Sequence, residues 1–305
     1  MVETIGNPLT WVAKIIGRGS HYVGDGALEI VGADTAPIDI RSLHLTDLRT
    51  ALRKGANDFM ALRTDVMFLV VIYPVIGLLL MAFGLNRAML PMLFPMVSGF
   101  ALLGPVAGIG LYEMSRRREL GLATGWGDAF AIIGSPSFFP IVALGFYLFA
   151  IFLTWMVTAF YIYNLTLGPV PPASATAFLA DVFGTAAGWT MLIAGVAVGF
   201  VFASAVLAIS LVSFPLLVDR PVGIVRAVVT SVTIARRNPI VAAVWGAIVV
   251  VGLGLGVVTA FVGLIVVLPV LGHATWHLYR QAVVAVNRPA RPVAAGAEAM
   301  PVQGG

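Results

Sequence analysis

The sequence predicts an all-α polytopic integral membrane protein with six transmembrane helices, arranged as three tandem helical hairpins with interfacial amphipathic helices. One supporting observation is compositional: 60% of the 305 residues are hydrophobic and only 10% are charged. The other two are patterns. Six long apolar stretches alternate with connecting segments, and 17 of the 18 Lys and Arg residues fall on one side of that alternation, with Arg87 as the exception. Such a chain is typical of a protein whose solvent is a lipid bilayer.

The distribution of basic residues also predicts an orientation. Loops rich in Lys and Arg stay on the cytoplasmic side of a membrane. We therefore expect a multi-pass protein of the bacterial cytoplasmic (inner) membrane with both termini in the cytoplasm. The net charge of +4 then indicates contact with anionic lipid at the cytoplasmic face and no nucleic acid.

Three regions follow from the pattern along the chain. Residues 1–43 form a cytoplasmic N-terminal extension with a short strand near Ala27–Val31, 44–280 form the six-span membrane domain, and 281–305 form a disordered tail rich in Ala, Pro and Gly. The membrane domain begins with an amphipathic interfacial helix. Its apolar residues recur at helical spacing opposite Arg49, Arg53 and Lys54: Leu45, Leu48, Leu52 and Phe59.

The six spans are justified by length, because about 20 apolar residues match the hydrocarbon core. The last apolar block has 40 residues without an acid, Lys or Arg, and must fold back on itself. Two further amphipathic pieces lie at Trp126–Ile133 and at 221–237. The predicted spans are Val66–Leu85, Met89–Tyr112, Phe139–Tyr163, one within Gly188–Leu217, and two within Ile240–Tyr279 joined by a turn near Val258–Gly263.

Within the segment 221–237, the side chains of Ile224, Val225, Val228 and Val232 share one helical face. Prolines at positions 74, 105 and 269 are expected to kink their spans. Glycine pairs four residues apart, at 104/108, 195/199 and 252/256, favour close helix packing.

The second and sixth spans share a pattern at an offset of 164 residues. Each reads Pro, two apolar residues, Gly, three residues, an aromatic, three residues, Arg. This indicates parallel two-span repeats, although the same residues are also common at membrane helix ends. The matched positions are Pro105, Gly108, Tyr112 and Arg116 with Pro269, Gly272, Trp276 and Arg280.

The predicted spans hold no ionisable residue near mid-membrane. This argues against a proton-coupled pump, a voltage sensor or a carboxylate ion carrier, which place charges there. The absence of cysteine excludes disulfides, thiolate metal sites and cysteine nucleophiles. No cofactor and no catalytic residue is predicted.

Two histidines, His273 and His277, are four residues apart and share a helix face, a spacing that suits metal or haem ligation. Glu113, which aligns with His277 in the repeat, would be the third ligand. The alternative is an interfacial anchor made with Trp276 and Arg280.

A polar cluster across the three hairpin ends is the second candidate site, for an anionic head group or a partner protein. The alternative reading of Asp219 and Arg220 is a helix end with a surface ion pair. The candidate contact residues at this end of the molecule are Glu113, Arg116, Asp219, Arg220, His273, Trp276, His277 and Arg280.

Three segments carry a family resemblance: the run from Leu103 to Arg117, Ser213–Arg220, and Pro269–Arg280. They resemble the bacterial integral membrane family catalogued as domain of unknown function 2189, over roughly residues 40–285. Members of that family are generally uncharacterised, and some carry the label of a cytochrome c oxidase component.

Three functions are consistent with these observations. The first is a non-enzymatic accessory or assembly component of a larger membrane complex, such as a respiratory one, whose subunits would be its partners. The second is a carrier or channel for a neutral small solute or lipid. The third is a metal- or haem-using enzyme built on the two histidines. We favour the first.

Overall fold

The computed structural model of the chain describes residues 32–86 and 89–284, with the backbone alone for 63–65 and 67–70. These residues are helical, with one isolated bridge between Ile40 and Val283, so the all-α prediction is confirmed for them. A 3-10 helix lies at Trp126–Gly134. The α-helices are α1 (Leu45–Val70), α2 (Ile72–Gly84), α3 (Leu90–Leu102), α4 (Gly104–Ala107), α5 (Ile109–Glu119), α6 (Phe138–Thr166), α7 (Ala175–Gly184), α8 (Ala186–Ser210), α9 (Ser213–Asp219), α10 (Ile224–Arg237), α11 (Pro239–Val258) and α12 (Leu264–Ala282).

Within residues 32–86 and 89–284, three helical segments are long and apolar enough to cross a membrane. They are α6, the pair α8–α9 that together covers Ala186–Asp219, and α11. They coincide with the predicted third, fourth and fifth spans. The turn between α11 and α12 occupies 259–263, where the sequence predicts it.

The predicted first and second spans are broken rather than continuous. The first is interrupted at Val71, between α1 and α2, and the second at Leu103 and Gly108, between α3, α4 and α5. Pro74 and Pro105 lie just after these interruptions, and each lacks the N–H that would continue the helical hydrogen bonding. The 13-residue helices α2 and α3 are each only about 20 Å long. Six crossings therefore stay a prediction.

The sixth predicted span corresponds to α12, which is continuous through Pro269. The repeat pattern thus lies on two different backbones: Gly108 ends the one-turn helix α4, whereas Gly272 lies inside α12. Tyr112 and Trp276, its two aromatic members, are both buried in the protein. The repeat itself stays a prediction.

The second half of α12 packs antiparallel to the first half of α1. The closest approach is at Gly55, where an added β-carbon would lie 2.6 Å from the Ala274 nitrogen and 2.7 Å from the Val270 carbonyl oxygen. Ala51 and Ala274 are completely buried at this contact. Small residues thus let the two helix backbones meet.

Part of the predicted N-terminal extension is docked on the helices. The Leu43 amide donates to the Asn238 side chain at 2.8 Å, and Asp34 forms an ion pair with Arg220. Ala282 and Val283, at the start of the predicted tail, are buried. The predicted strand Ala27–Val31 and most of the tail lie outside the described residues.

The predicted 164–186 loop contains a helix of its own. Ser174 caps α7 by accepting a hydrogen bond from the Ala177 amide at 3.0 Å, a usual N-terminal cap. Val182 of α7 is buried and Phe178 lies edge-to-face with Tyr163 of α6. This short apolar helix covers the ends of α6 and α8.

Candidate functional site

The two histidines belong to a buried hydrogen-bonded chain that joins α1, α5 and α12. His273 Nδ1 lies 2.7 Å from Ser115 Oγ, and Ser115 Oγ lies 2.7 Å from Asp58 Oδ2. His277 Nε2 lies 2.8 Å from the same Asp58 oxygen, and Arg118 pairs with Asp58 Oδ1 at 3.1 Å. We call these five residues the histidine network.

The carboxylate of Asp58 fixes the proton arrangement of this network. Burial of that carboxylate would raise its pKa, but hydrogen bonds from His277 and Ser115 outweigh burial, so the pKa of Asp58 falls below its ordinary value of 3.8. An ionised Asp58 only accepts hydrogen bonds, so Ser115 donates to it. Because a hydroxyl has one proton, Ser115 then accepts from His273 Nδ1–H.

This arrangement leaves the other nitrogen of His273 as an acceptor. Nε2 is buried and has no hydrogen-bond partner among the described residues, and the whole residue is 0% exposed. The histidine network holds α1, α5 and α12 together, and three donors compensate the buried negative charge of Asp58.

The structure does not assemble the predicted histidine–glutamate metal site. The carboxylate of Glu113 forms a two-point ion pair with Arg116, at 2.7 and 2.8 Å, and those hydrogen bonds raise the pKa of Arg116. Within 32–86 and 89–284, no group of three or more His, Asp or Glu side chains is arranged to hold a metal ion. Metal binding by His273 and His277 gains no third ligand from Glu113.

A second cluster lies beside the network and contains the remaining predicted contact residues on α12. Tyr279 donates to Asp219 at 2.6 Å, and Arg280 bridges Asp219 and Glu119, at 3.5 and 3.0 Å. Trp276 donates its indole N–H to Glu119 at 2.9 Å. Trp276 and Tyr279 are 1% and 0% exposed, so they are core residues and not the lipid-facing anchor that the sequence suggested.

Arg220 belongs to neither cluster. Its guanidinium pairs with Asp34 at 2.8 Å, and both side chains are buried, so the predicted surface ion pair with its neighbour Asp219 is wrong. Hydrogen bonding to Asp34 raises the pKa of Arg220. The eight predicted residues thus gather at one end of the helices, which we call the polar end, but in separate hydrogen-bonded groups.

Sequence reasoning missed Asp58, the residue on which the histidine network centres. One signal could have found it: Asp58 stands at helical spacing from Leu48, Ala51 and Gly55, so it shares the buried face of α1 with them. A carboxylate on such a face needs a partner. Which partner could not be read, because His277 is 219 residues away.

The opposite end of α8 borders a cavity of about 400 Å³. Four residues each from α3, α6, α7 and α8 line it, and none is charged. Two lining residues have polar side-chain groups, and each donates a hydrogen bond to a backbone carbonyl: Trp155 to Pro95 at 2.9 Å and Tyr163 to Val170 at 2.8 Å. The cavity therefore presents hydrocarbon and aromatic faces alone.

Comparison with known proteins bears on this region. Residues 93–219 match the model of a family described as predicted integral membrane protein, domain of unknown function 2189. The family resemblance is confirmed over that segment. The match to domain of unknown function 2189 runs from α3 to the end of α9, so it contains most of the cavity lining and excludes the two histidines on α12. No curated protein and no solved structure matches the chain.

Proposed function

We propose that this integral membrane protein binds the hydrocarbon chain of a lipid, or a similar neutral apolar molecule, in the cavity between α3, α6, α7 and α8. This proposal is related to the predicted alternative of a carrier or channel for a neutral small solute or lipid. The observation that carries it is the cavity of about 400 Å³ without a charged lining residue. Its volume falls in the usual range of small-molecule sites.

The chemistry of the lining selects the ligand. Since Trp155 and Tyr163 already donate to backbone carbonyls, a polar ligand group would be desolvated there without a hydrogen bond in return, at a cost of about 1–3 kcal/mol. An acyl or isoprenoid chain incurs no such penalty. Because such a chain already lies in hydrocarbon, its binding is favoured by van der Waals packing against the lining and not by removal from water.

The position of the cavity indicates from which part of the membrane such a chain would come. Its lining comes from the C-terminal half of α6 and the N-terminal half of α8, both candidate membrane-spanning segments. We place the protein in the bacterial cytoplasmic membrane with six crossings and both termini in the cytoplasm, which puts the cavity in the outer leaflet. A tag after Gln281 that reacted from outside the cell would contradict this orientation.

The binding experiment uses protein reconstituted with a phospholipid that carries a photoreactive diazirine in its acyl chain. After illumination, mass spectrometry of peptides should find the label on α3, α7 and α8. The test variant is Gly195→Leu, because Gly195 lines the cavity and an added β-carbon there meets nothing within 4 Å. Its leucine should occupy part of the cavity and reduce the labelling of these helices.

The matched control is Gly254→Leu. Gly254 also lies inside a candidate span and has open space at its β-carbon, but it is on α11, away from the cavity. This variant should label like the wild type. Equal labelling of α3, α7 and α8 in both variants would overturn the proposal.

The predicted partnership with subunits of a larger, respiratory membrane complex stays a hypothesis. Gentle detergent extraction followed by a native gel and mass spectrometry tests it. A lone monomer with no co-purifying subunits would count against it.

A further inference from the structure

Helix α10 carries valines on the side that faces away from the protein. Its buried side is made by Ala227, Thr230, Ser231 and Ile234, of which Ile234 alone is a large apolar side chain. Ser231 Oγ is tied into the fold, because it donates to the Ala208 carbonyl at 2.8 Å and accepts from the Val212 amide at 3.2 Å.

Only part of the apolar face predicted from the sequence points outward. Ile224 and Val228 pack partly against the core, whereas Val225 faces away from it. Val225 and Val229 are 74% and 58% exposed, and Val228 and Val232 beside them are half-buried. An amphipathic helix in water packs its apolar side inward. The reverse arrangement is expected where the outer surroundings are hydrocarbon.

The chain that follows α10 shows what those surroundings are. Asn238 ends the helix, and α11, a candidate membrane-spanning helix, begins at Pro239. Its second residue, Ile240, is 69% exposed. Exposed apolar surface on α11 thus begins three residues beyond Arg237, a position that suits the boundary between hydrocarbon and head groups.

The basic residues of the molecule divide into paired and unpaired sets. Among the side chains described, Arg41, Arg116, Arg117, Arg118, Arg220 and Arg280 form ion pairs with acids, and Arg226 donates to the carbonyls of Asp34 and Ala36. Five basic side chains in the described residues have no such partner: Arg49, Arg53 and Lys54 on α1, and Arg236 and Arg237 in the last turn of α10.

We propose that α10 is a lipid-docking helix that binds anionic phospholipid. Its valine face lies in the acyl region of the bilayer, and Arg236 and Arg237 bind the phosphate of an anionic head group. Continuity with the lipid-exposed start of α11 and the uncompensated positive charge at the same end both select this partner. The site lies on α10, outside the cavity lining, and does not depend on the ligand of the cavity.

The absence of cysteine in the sequence permits a direct test of the valine face. Single variants Val225→Cys and Val229→Cys carry a nitroxide spin label in vesicles of phosphatidylcholine and phosphatidylglycerol. At both positions, collisions with oxygen should exceed collisions with a water-soluble nickel complex, because oxygen concentrates in hydrocarbon. Lys54→Cys, on the exposed charged face of α1, is the control and should give the opposite order.

Two results would overturn the docking of α10 on lipid. Nickel access above oxygen access at position 225 would place the face in water. An immobilised label shielded from both reagents would show that a protein, a partner or a second copy of this chain, covers it.

Binding of the lipid head group is tested with two double variants, each of which removes two positive charges. Arg236→Gln/Arg237→Gln should reduce retention of phosphatidylglycerol relative to phosphatidylcholine in native mass spectrometry, by about fivefold per arginine at low salt. Arg49→Gln/Arg53→Gln should retain it. Equal losses in the two variants would reduce the effect to general electrostatics and overturn the assignment of the phosphate to α10.

Discussion

The two ends of α8 and α9 contrast in what they leave available to a ligand. At the polar end, where α9 finishes, the ionisable side chains of Asp58, Asp219 and Arg220 each meet a partner within the chain. At the other end, where α8 begins, a cavity of about 400 Å³ is lined without a charge. The polar end holds the ionisable side chains, but other residues of the chain already occupy them. The apolar end has no charged side chain but contains unfilled space.

This difference teaches that residue type alone is a poor guide to a ligand site in this protein. His273 and His277 suit metal binding by spacing, but their ring nitrogens face Ser115 and Asp58. A buried hydrogen-bonded network specifies how helices meet. A ligand instead needs unfilled space, which the sequence pattern does not show.

The largest effect is expected from Gly55→Leu at the polar end. An added β-carbon would lie 2.6 Å from the backbone of α12, so the side chain must push α1 and α12 apart and break the histidine network. We expect a loss of about 3 kcal/mol or more in the free energy of unfolding. Thermal unfolding in detergent measures it.

The control for that variant is Gly104→Leu, because nothing lies within 4 Å of its β-carbon position. This substitution should change the unfolding temperature little. Similar losses for both variants would contradict the close approach of α1 and α12.

Asp58→Asn should have the next largest effect. The amide keeps one acceptor oxygen, but its NH₂ group faces the donors of Ser115 and His277, and Arg118 loses its counter-charge. We expect a loss of about 2–4 kcal/mol. Asp128→Asn removes the more exposed ion pair with Arg117 and should cost less than about 1 kcal/mol, as thermal unfolding of the two variants would show.

The carboxylate of Asp58 also makes the stability of the fold depend on pH in the acid range. Because the folded pKa of Asp58 lies below its ordinary value of 3.8, its ionised form stabilises the fold at all pH values above 3.8, and this contribution is lost as the pH falls through the folded pKa. The stability difference between wild type and Asp58→Asn should therefore shrink as the pH falls below 3.8. A difference that grew on acidification would reverse the sign of the shift.

The sequence predicted those parts of the fold that depend on uninterrupted apolar length. Spans three, four and five match α6, α8–α9 and α11, and the turn at 259–263 is where a 40-residue block must reverse. The breaks near Val71 and Leu103 were harder, because a proline either kinks or ends a helix. Pro269, in α12, does not end its helix.

The site was less predictable, for a reason visible in two residues. Asp58 and His277 pair across 219 residues, and a single sequence carries no signal for such a contact. The predicted glycine pairs located only part of the close helix packing: an added β-carbon would lie 3.2 Å from Val267 of α12 at Gly252 and 3.1 Å from Trp155 of α6 at Gly199. At Gly104 and Gly195 nothing lies within 4 Å, whereas the unpaired Gly55 meets the backbone of α12.

The smallest effect should come from enlarging a residue at the cavity end. Gly195→Leu places its side chain in space that no protein atom occupies within 4 Å of the β-carbon, so no backbone has to move. Removing a helical glycine and filling a cavity both favour the folded state. We expect the free energy of unfolding to stay unchanged or rise by about 1 kcal/mol.

The same substitution, glycine to leucine inside a helix, would then change the free energy of unfolding in opposite directions at positions 195 and 55. Thermal unfolding of lipid-free protein in detergent is the appropriate measurement, since a bound chain would stabilise the wild type by mass action and hide the gain. If Gly195→Leu instead destabilised the protein as strongly as Gly55→Leu, the region around α3, α7 and α8 would be as closely packed as the polar end. No unfilled volume would then be left for a ligand, and the difference between the two ends of the molecule would disappear.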